Sequence, residues 1–113
     1  MGNPVVHFEI GCRDLGRTVD FYTQLFDWKT TTEGPATNID TGGGIPGHFT
    51  SLGHEPHHYV TVYVQVDQIE TCLEKVKTLG GKVIVGPIPL PNGSRFAWIS
   101  DPDGSVVGLL QPA

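Results

Sequence analysis

Two side chains suited to proton chemistry stand two residues apart near the start of the chain, His7 and Glu9. The stretch from Pro4 to Cys12 alternates Val6, Phe8 and Ile10 with Val5, His7 and Glu9, so it reads as a strand carrying the imidazole and the carboxylate on one face. Such a pair is either an acid and a base or a polar lining hydrogen-bonded to its neighbours, and the residues alone leave both roles open. A second cluster, His54-Glu55-Pro56-His57-His58, invites a zinc reading. Its spacing matches no zinc motif and offers no rigid scaffold, so it reads as a solvated connector. Gly42-Gly43-Gly44 is not a GxGxxG loop and precedes no helix, so it reads as a flexible loop and not as a dinucleotide site.

The elements that position these groups are legible from their periods. Trp98 to Leu110 reads as strand, tight turn, strand, with Asp101-Pro102-Asp103-Gly104 as the turn. Beyond the turn, Val106, Gly108 and Leu110 share one face, and Val107 and Leu109 the other. Tyr59 to Val66 alternates strictly, placing Val60, Val62, Val64 and Val66 under a helix and Tyr59, Thr61, Tyr63 and Gln65 toward a wetter face. Leu15, Val19, Tyr22 and Phe26 recur at helical spacing behind Asp14 as N-cap, and Phe21 and Leu25 widen the stripe. Asp67 with Glu70 predicts a capping box for a second helix, with Ile69, Cys72, Leu73, Val76 and Leu79 as its stripe and Gly80-Gly81 as its end. Short strands are predicted over residues 28–32, 36–40, 48–52, 82–86 and 95–100, with a turn at Glu33-Gly34-Pro35. Pro87 to Ser94 reads as a proline-rich connection.

The two halves share one plan, strand, helix, then three strands, and their capping aspartates stand 53 residues apart. The predicted fold is α+β: one domain over 1–113, built of two βαβββ modules at 1–53 and 59–113 that form a cupped sheet with a central cleft. The residues expected to line that cleft are His7, Glu9, Thr61, Tyr63, Phe96, Trp98, Val106 and Gly108. Tyr63, Phe96 and Trp98 would stack on a flat or aliphatic ligand.

A net charge of −5 argues against a nucleic-acid partner, which calls for a basic stripe. No apolar run is long enough to span a bilayer, so no membrane association is expected. No secretory signal is read at the start, and Cys12 and Cys72 are expected to be reduced thiols in the cytoplasm.

The chain resembles the glyoxalase/bleomycin resistance/dioxygenase superfamily, also called vicinal oxygen chelate proteins. The resemblance is carried by Asp14 with Phe21-Tyr22, Leu25-Phe26-Asp27-Trp28, Val66-Asp67, Leu79-Gly80-Gly81-Lys82-Val83 and Asp101-Pro102-Asp103-Gly104, and it covers nearly the whole chain. It implies a divalent metal held by His or Glu on the leading and closing strands, which polarises vicinal oxygens. By that resemblance His7 matches the first ligand position, Thr61 falls where a second His would stand and Gly108 where the closing Glu would stand. His48 is the one ligand type near the fourth position. So few ligands leave the expectation of a metal-free cleft with no cofactor, binding a small organic molecule as bleomycin-resistance proteins do. The alternative is a divalent-metal lyase, isomerase or dioxygenase, and a third reading is a cofactor-free enzyme with His7 or Glu9 as base. Small two-module relatives commonly pair, so a homodimer is expected.

Overall fold

A computed structural model of the chain describes residues 2–33 and 36–113. The turn expected at Gly34-Pro35 lies outside the described residues. The chain divides into two compact units, His7–Thr61 and residues 2–6 with Val62–Ala113. Each unit combines one helix with strands, so the class is α+β as expected.

The first unit holds β1 (Val5–Gly11) from His7 onward, α1 (Leu15–Phe26), β2 (Lys29–Glu33), β3 (Ala36–Asp40) and β4 (Gly47–Thr50). Its strands run in the order β2-β3-β4-β1. β3 is antiparallel to both β2 and β4, whereas β1 and β4 are parallel, with Phe8 opposite Gly47 and Glu9 opposite His48. The alternation along β1 sends Phe8 and Ile10 to the helix side, where Ile10, Ile39 and Phe49 form a buried core. Leu15, Val19, Tyr22 and Trp28 pack against that core. Burying a side chain of this size contributes roughly 1.5–3 kcal/mol, which makes Phe49, with no exposed surface, a principal anchor. Asp14 caps α1 as expected, its Oδ1 accepting the Arg17 N–H at 3.1 Å. The helix ends on Asp27, whose left-handed φ of 57° lets its N–H reach the Thr23 carbonyl.

The apolar stripe of α1 is narrower than its sequence implies. Phe21 and Leu25, expected to widen it, are exposed, as is Phe26. α1 meets the sheet chiefly at β4, so only the row Leu15, Val19 and Tyr22 reaches the core, and residues a quarter-turn away stay in solvent.

The second unit holds β5 (Tyr59–Gln65) from Val62 onward, α2 (Ile69–Thr78), β6 (Lys82–Pro89), β7 (Arg95–Ser100) and β8 (Val106–Gln111), in the order β5-β8-β7-β6. β5 and β8 are parallel, with Tyr63 opposite Gly108, and β7 is antiparallel to both β6 and β8. Val66, Ile69, Leu73, Ala97 and Leu109 are buried together, with Cys72 packed against them as a small core residue. The turn before β8 forms as expected: Asp101 Oδ1 accepts the N–H groups of Asp103 and Ser105 at 2.9 and 3.0 Å.

Four expectations for this unit need correction. Asp67 does not cap α2; Gln68 occupies the N-cap without a side-chain bond, and the Ile69 N–H is satisfied by Gln111 Oε1 at 2.8 Å. Leu79 is no part of the helical stripe but its exposed C-cap, followed by Gly80 at φ +92°. Val62 does not lie under a helix, and neither does Val60, its strand neighbour in the first unit: both are exposed, and in the second unit α2 packs on β6, β7 and β8, away from Val62. β6 runs on through Pro87 to Pro89 with two register shifts, which an edge strand tolerates because its outer N–H positions need no partner. Among the described residues, no helix is long and apolar enough to cross a membrane.

Candidate functional site

β1 holds His7 and Glu9 on the face opposite Phe8 and Ile10, and the parallel register sets Glu9 beside His48 on β4. His7 Nε2 lies 2.7 Å from His48 Nδ1. The other nitrogen of His48, Nε2, lies 3.1 Å from Glu9 Oε1. The Tyr59 hydroxyl donates to Glu9 Oε2. One polar chain thus runs Tyr59, Glu9, His48, His7. It answers a solvation problem: Glu9 is only 1% exposed, and a carboxylate so placed is tolerable only with both oxygens hydrogen-bonded.

The chain also has a direction. A carboxylate accepts only, so His48 donates from Nε2, and in its neutral form it carries its lone pair at Nδ1. His7 must then donate from Nε2, which puts the lone pair of its neutral ring at Nδ1. Burial first, then the neighbouring His48, both opposed by Glu9, push the His7 imidazole down to about 4, so the ring is neutral at pH 7. Burial first, then the bond to Glu9 and its charge, push the Tyr59 phenol up and keep it a donor.

Two glycines make room for this arrangement. A Cβ on Gly11 would fall 2.1 Å from the Tyr59 ring, and one on Gly53 would fall 1.7 Å from its hydroxyl oxygen. The His54 ring stacks on Tyr59 with centroids 3.9 Å apart. Within the connector, His57 Nδ1 pairs with Glu55 at 3.2 Å, while its Nε2 lies 3.2 Å from the Gly53 carbonyl. Of the residues read from sequence, His7 and Glu9 meet here, and Thr61 is buried in the same unit. Sequence reasoning missed Tyr59 as the partner of Glu9 and gave His48 no more than a loose place. The signal for Tyr59 was its position in the alternation with Thr61 and Tyr63.

The second unit gathers the expected aromatic residues. Trp98 Nε1 donates to the Tyr63 hydroxyl at 2.8 Å. Phe96 lies beside both, its ring centroid 5.8 Å from Trp98 and 6.5 Å from Tyr63. A Cβ on Gly108 would fall 2.4 Å from the Tyr63 ring, so the ring fills the space above that glycine. Val106, half-buried, stands opposite Ser100 on β7 at the start of the same strand.

The family model described as Glyoxalase/Bleomycin resistance protein/Dioxygenase superfamily matches residues 5–109. The chain belongs to this superfamily. It is 40% identical to the putative glyoxylase CFP32 of Mycobacterium bovis over 51% of this chain and 22% of that protein. It is 29% identical to the anthracycline biosynthesis protein DnrV of Streptomyces peucetius over 90% of this chain and 44% of that protein. The chain therefore spans less than half the length of these curated relatives. Among solved structures, the hypothetical protein BH1468 from Bacillus halodurans C-125 is similar with a TM-score of 0.76 at 16% identity, covering 100% of this chain and 96% of that one. Methylmalonyl-CoA epimerase from Mycobacterium tuberculosis is similar with a TM-score of 0.69 at 14% identity, covering 96% of this chain and 87% of that one. These likenesses bear out the glyoxalase-like fold.

The metal that the superfamily implies can be tested against the donors present. His48 turns one nitrogen to His7 and the other to Glu9, so neither of its nitrogens is aimed at an ion shared with them. Position 61 offers a hydroxyl, and position 108 offers no side chain and no space for one. Among the described residues, no group of three or more His, Cys, Asp or Glu is placed to hold an ion. The residues do not fit the metal that glyoxalase-superfamily enzymes use, which calls for several converging imidazole or carboxylate ligands.

Proposed function

We propose that this glyoxalase-superfamily chain binds a small organic ligand without a metal ion. The observation that carries the reading is the hydrogen-bonded line Tyr59, Glu9, His48, His7, in which the groups that would have to converge on an ion satisfy one another. In the first unit His7 is the proposed polar contact, and Glu9 and Thr61, which are buried, are proposed to set the polarity of the site without touching the ligand. Tyr63, Phe96 and Trp98 around Gly108 are the proposed apolar surface of the second. The reading extends to a single domain over 1–113 acting as a cytoplasmic homodimer, supported by the exposed Ile84 and Ile88 on the edge strand β6. Metal analysis of the purified protein, thermal-shift screening of small organic ligands and light scattering test it. The expected results are sub-stoichiometric metal, a stabilising ligand and a dimer. Stoichiometric zinc, nickel, iron or manganese, lost together with an activity on His7→Ala, would overturn the metal-free reading in favour of a metal-dependent lyase, isomerase or dioxygenase.

The direction of the same chain favours a second reading, a cofactor-free enzyme with His7 as base. A proton taken at His7 Nδ1 is matched by release of the Nε2 proton to His48 Nδ1 and of the His48 Nε2 proton to Glu9. Glu9 then holds the proton, and its bond from Tyr59 keeps it oriented. Product analysis of any ligand found by thermal shift separates this reading from passive binding: an unchanged ligand sinks it.

A further inference from the structure

A cavity of about 790 Å³ opens in the first unit at the end of β1, between α1 and the first residues of β5. Its lining includes Ile10 and Cys12, which point to the helix side of β1, away from His7 and Glu9. Phe21 and Val60 also line it, and they are 60% and 68% exposed, so two large apolar groups border the gap without cover. Burial pushes the Cys12 thiol up, and its sulfur donates to the Thr50 carbonyl at 3.5 Å, so the floor is neutral and unreactive.

The rim has the opposite character. Two of the chain's three arginines, Arg13 and Arg17, line the cavity, in a chain whose net charge is −5. The third, Arg95, is held by Glu70. Among the described residues, neither Arg13 nor Arg17 enters an ion pair. Asp14 beside them is engaged as the helix cap. His57 and His58 close the far side. The volume suits a small molecule, since ligand cavities run from roughly 300 to 1,000 Å³. Guanidinium forks hold carboxylates and related oxyanions by paired hydrogen bonds, which sets the polarity of the occupant.

We propose that this cavity binds a small amphipathic anion, with a flat apolar body over Ile10 and Cys12 between Phe21 and Val60, and an oxyanion head at Arg13 and Arg17. The site lies on the helix side of β1, and Tyr59 borders both it and the His7–Glu9 line. The inference stands independently of the function proposed above.

The probe is 1-anilinonaphthalene-8-sulfonate, titrated by fluorescence and by amide chemical shifts, with uncharged N-phenyl-1-naphthylamine in parallel. The amide shifts are expected to move at Arg13, Thr18 and Val60. The double change Arg13→Gln with Arg17→Gln is expected to weaken the sulfonate about tenfold or more and leave the neutral probe within about twofold. Lys82→Gln, a charge removed from the second unit, is expected to change neither. Both arginines are exposed, so the variants keep the fold, and unchanged melting temperatures verify it. Shifts centred elsewhere, or equal weakening of both probes, overturn the proposal. So does sedimentation showing that the probe binds only after a dimer dissociates, because the groove would then belong to a second copy.

Discussion

The ring of Tyr63 lies across Gly108, so close that a Cβ there would fall 2.4 Å from the ring carbons. The two residues are register partners on parallel strands, and Trp98 pins the tyrosine from the other side through its 2.8 Å bond to the hydroxyl. The glycine is therefore coupled to an aromatic ring that needs its space. Gly108→Ala should destabilise the protein by about 1–3 kcal/mol, the usual cost of overpacking. In a Tyr63→Ala background the same change should cost far less, because the atoms it strikes are gone. A double-mutant cycle by thermal or urea denaturation measures the coupling, and additive effects would sink the idea. Introducing an acid by Gly108→Glu should be still more destabilising for the same reason unless Tyr63 is trimmed with it.

The neutral, half-buried His7 gives stability a defined acid limb. Its ring titrates at about 4 in the folded protein against 6.5 when unperturbed, so between those values the unfolded chain binds more protons. Stability should therefore fall as pH drops from about 6.5 to about 4, with no further contribution from this group below that. Discounted for the ring's partial exposure, the loss should be about 1–2 kcal/mol. The exposed Glu70, held down to about 2 from 4.5 by its hydrogen bond to Arg95, acts in a separate, lower window and lends stability that is lost as pH falls through it. Denaturation midpoints across pH should show the upper step in the parent and none in His7→Gln, while Glu70→Gln removes only the lower one. An upper step that survives in His7→Gln refutes the assignment.

Gln111 joins the end of β8 to the start of α2. Its Oε1 accepts the Ile69 N–H at 2.8 Å and an Arg95 guanidinium N–H at 3.0 Å. It thus serves as a helix cap supplied from 42 residues away. Gln111→Ala should cost about 1–2 kcal/mol, as loss of a local cap does. Gln111→Glu should hold or raise stability, since a carboxylate keeps the acceptor and favours both the helix N-terminus and Arg95. Asp67→Ala should stay within about 0.5 kcal/mol, as expected of a surface position without a cap bond. Chemical denaturation of the three variants checks the order, and a larger loss from Asp67→Ala than from Gln111→Ala would reverse the capping assignment.

What sequence could and could not reveal follows from the range of the interactions. The turn at Asp101, the cap at Asp14 and the alternation along β1 are local, and residues a few positions apart announce them. The α2 cap was misread because Asp67 and Glu70 satisfy a local pattern while a distant glutamine takes the bond. Phe21, Val60 and Val62 were misassigned because period names a face of an element but not what covers it. In the candidate site, His7 and Glu9 are visible as an i, i+2 pair. The register that sets His48 beside Glu9, and the reach of Tyr59 across two glycines, are tertiary facts.

The direction of the Glu9, His48, His7 line can be read directly. With Glu9 ionised, His48 holds its proton at Nε2 and His7 at Nε2, so the two rings share a tautomer. Glu9→Gln keeps the volume but can present an amide N–H to His48, which would move the His48 proton to Nδ1 and force His7 to accept at Nε2. Nitrogen chemical shifts of the imidazoles should therefore report Nε2–H at both rings in the parent and Nδ1–H at both in Glu9→Gln. Stability should change modestly, because each buried group keeps a partner. Glu9→Ala, which leaves His48 Nε2 and the Tyr59 hydroxyl without their acceptor, should cost about 2–5 kcal/mol. Retention of the parent tautomers in Glu9→Gln would break the link between the carboxylate and the basic nitrogen of His7, and with it the relay on which the cofactor-free reading depends.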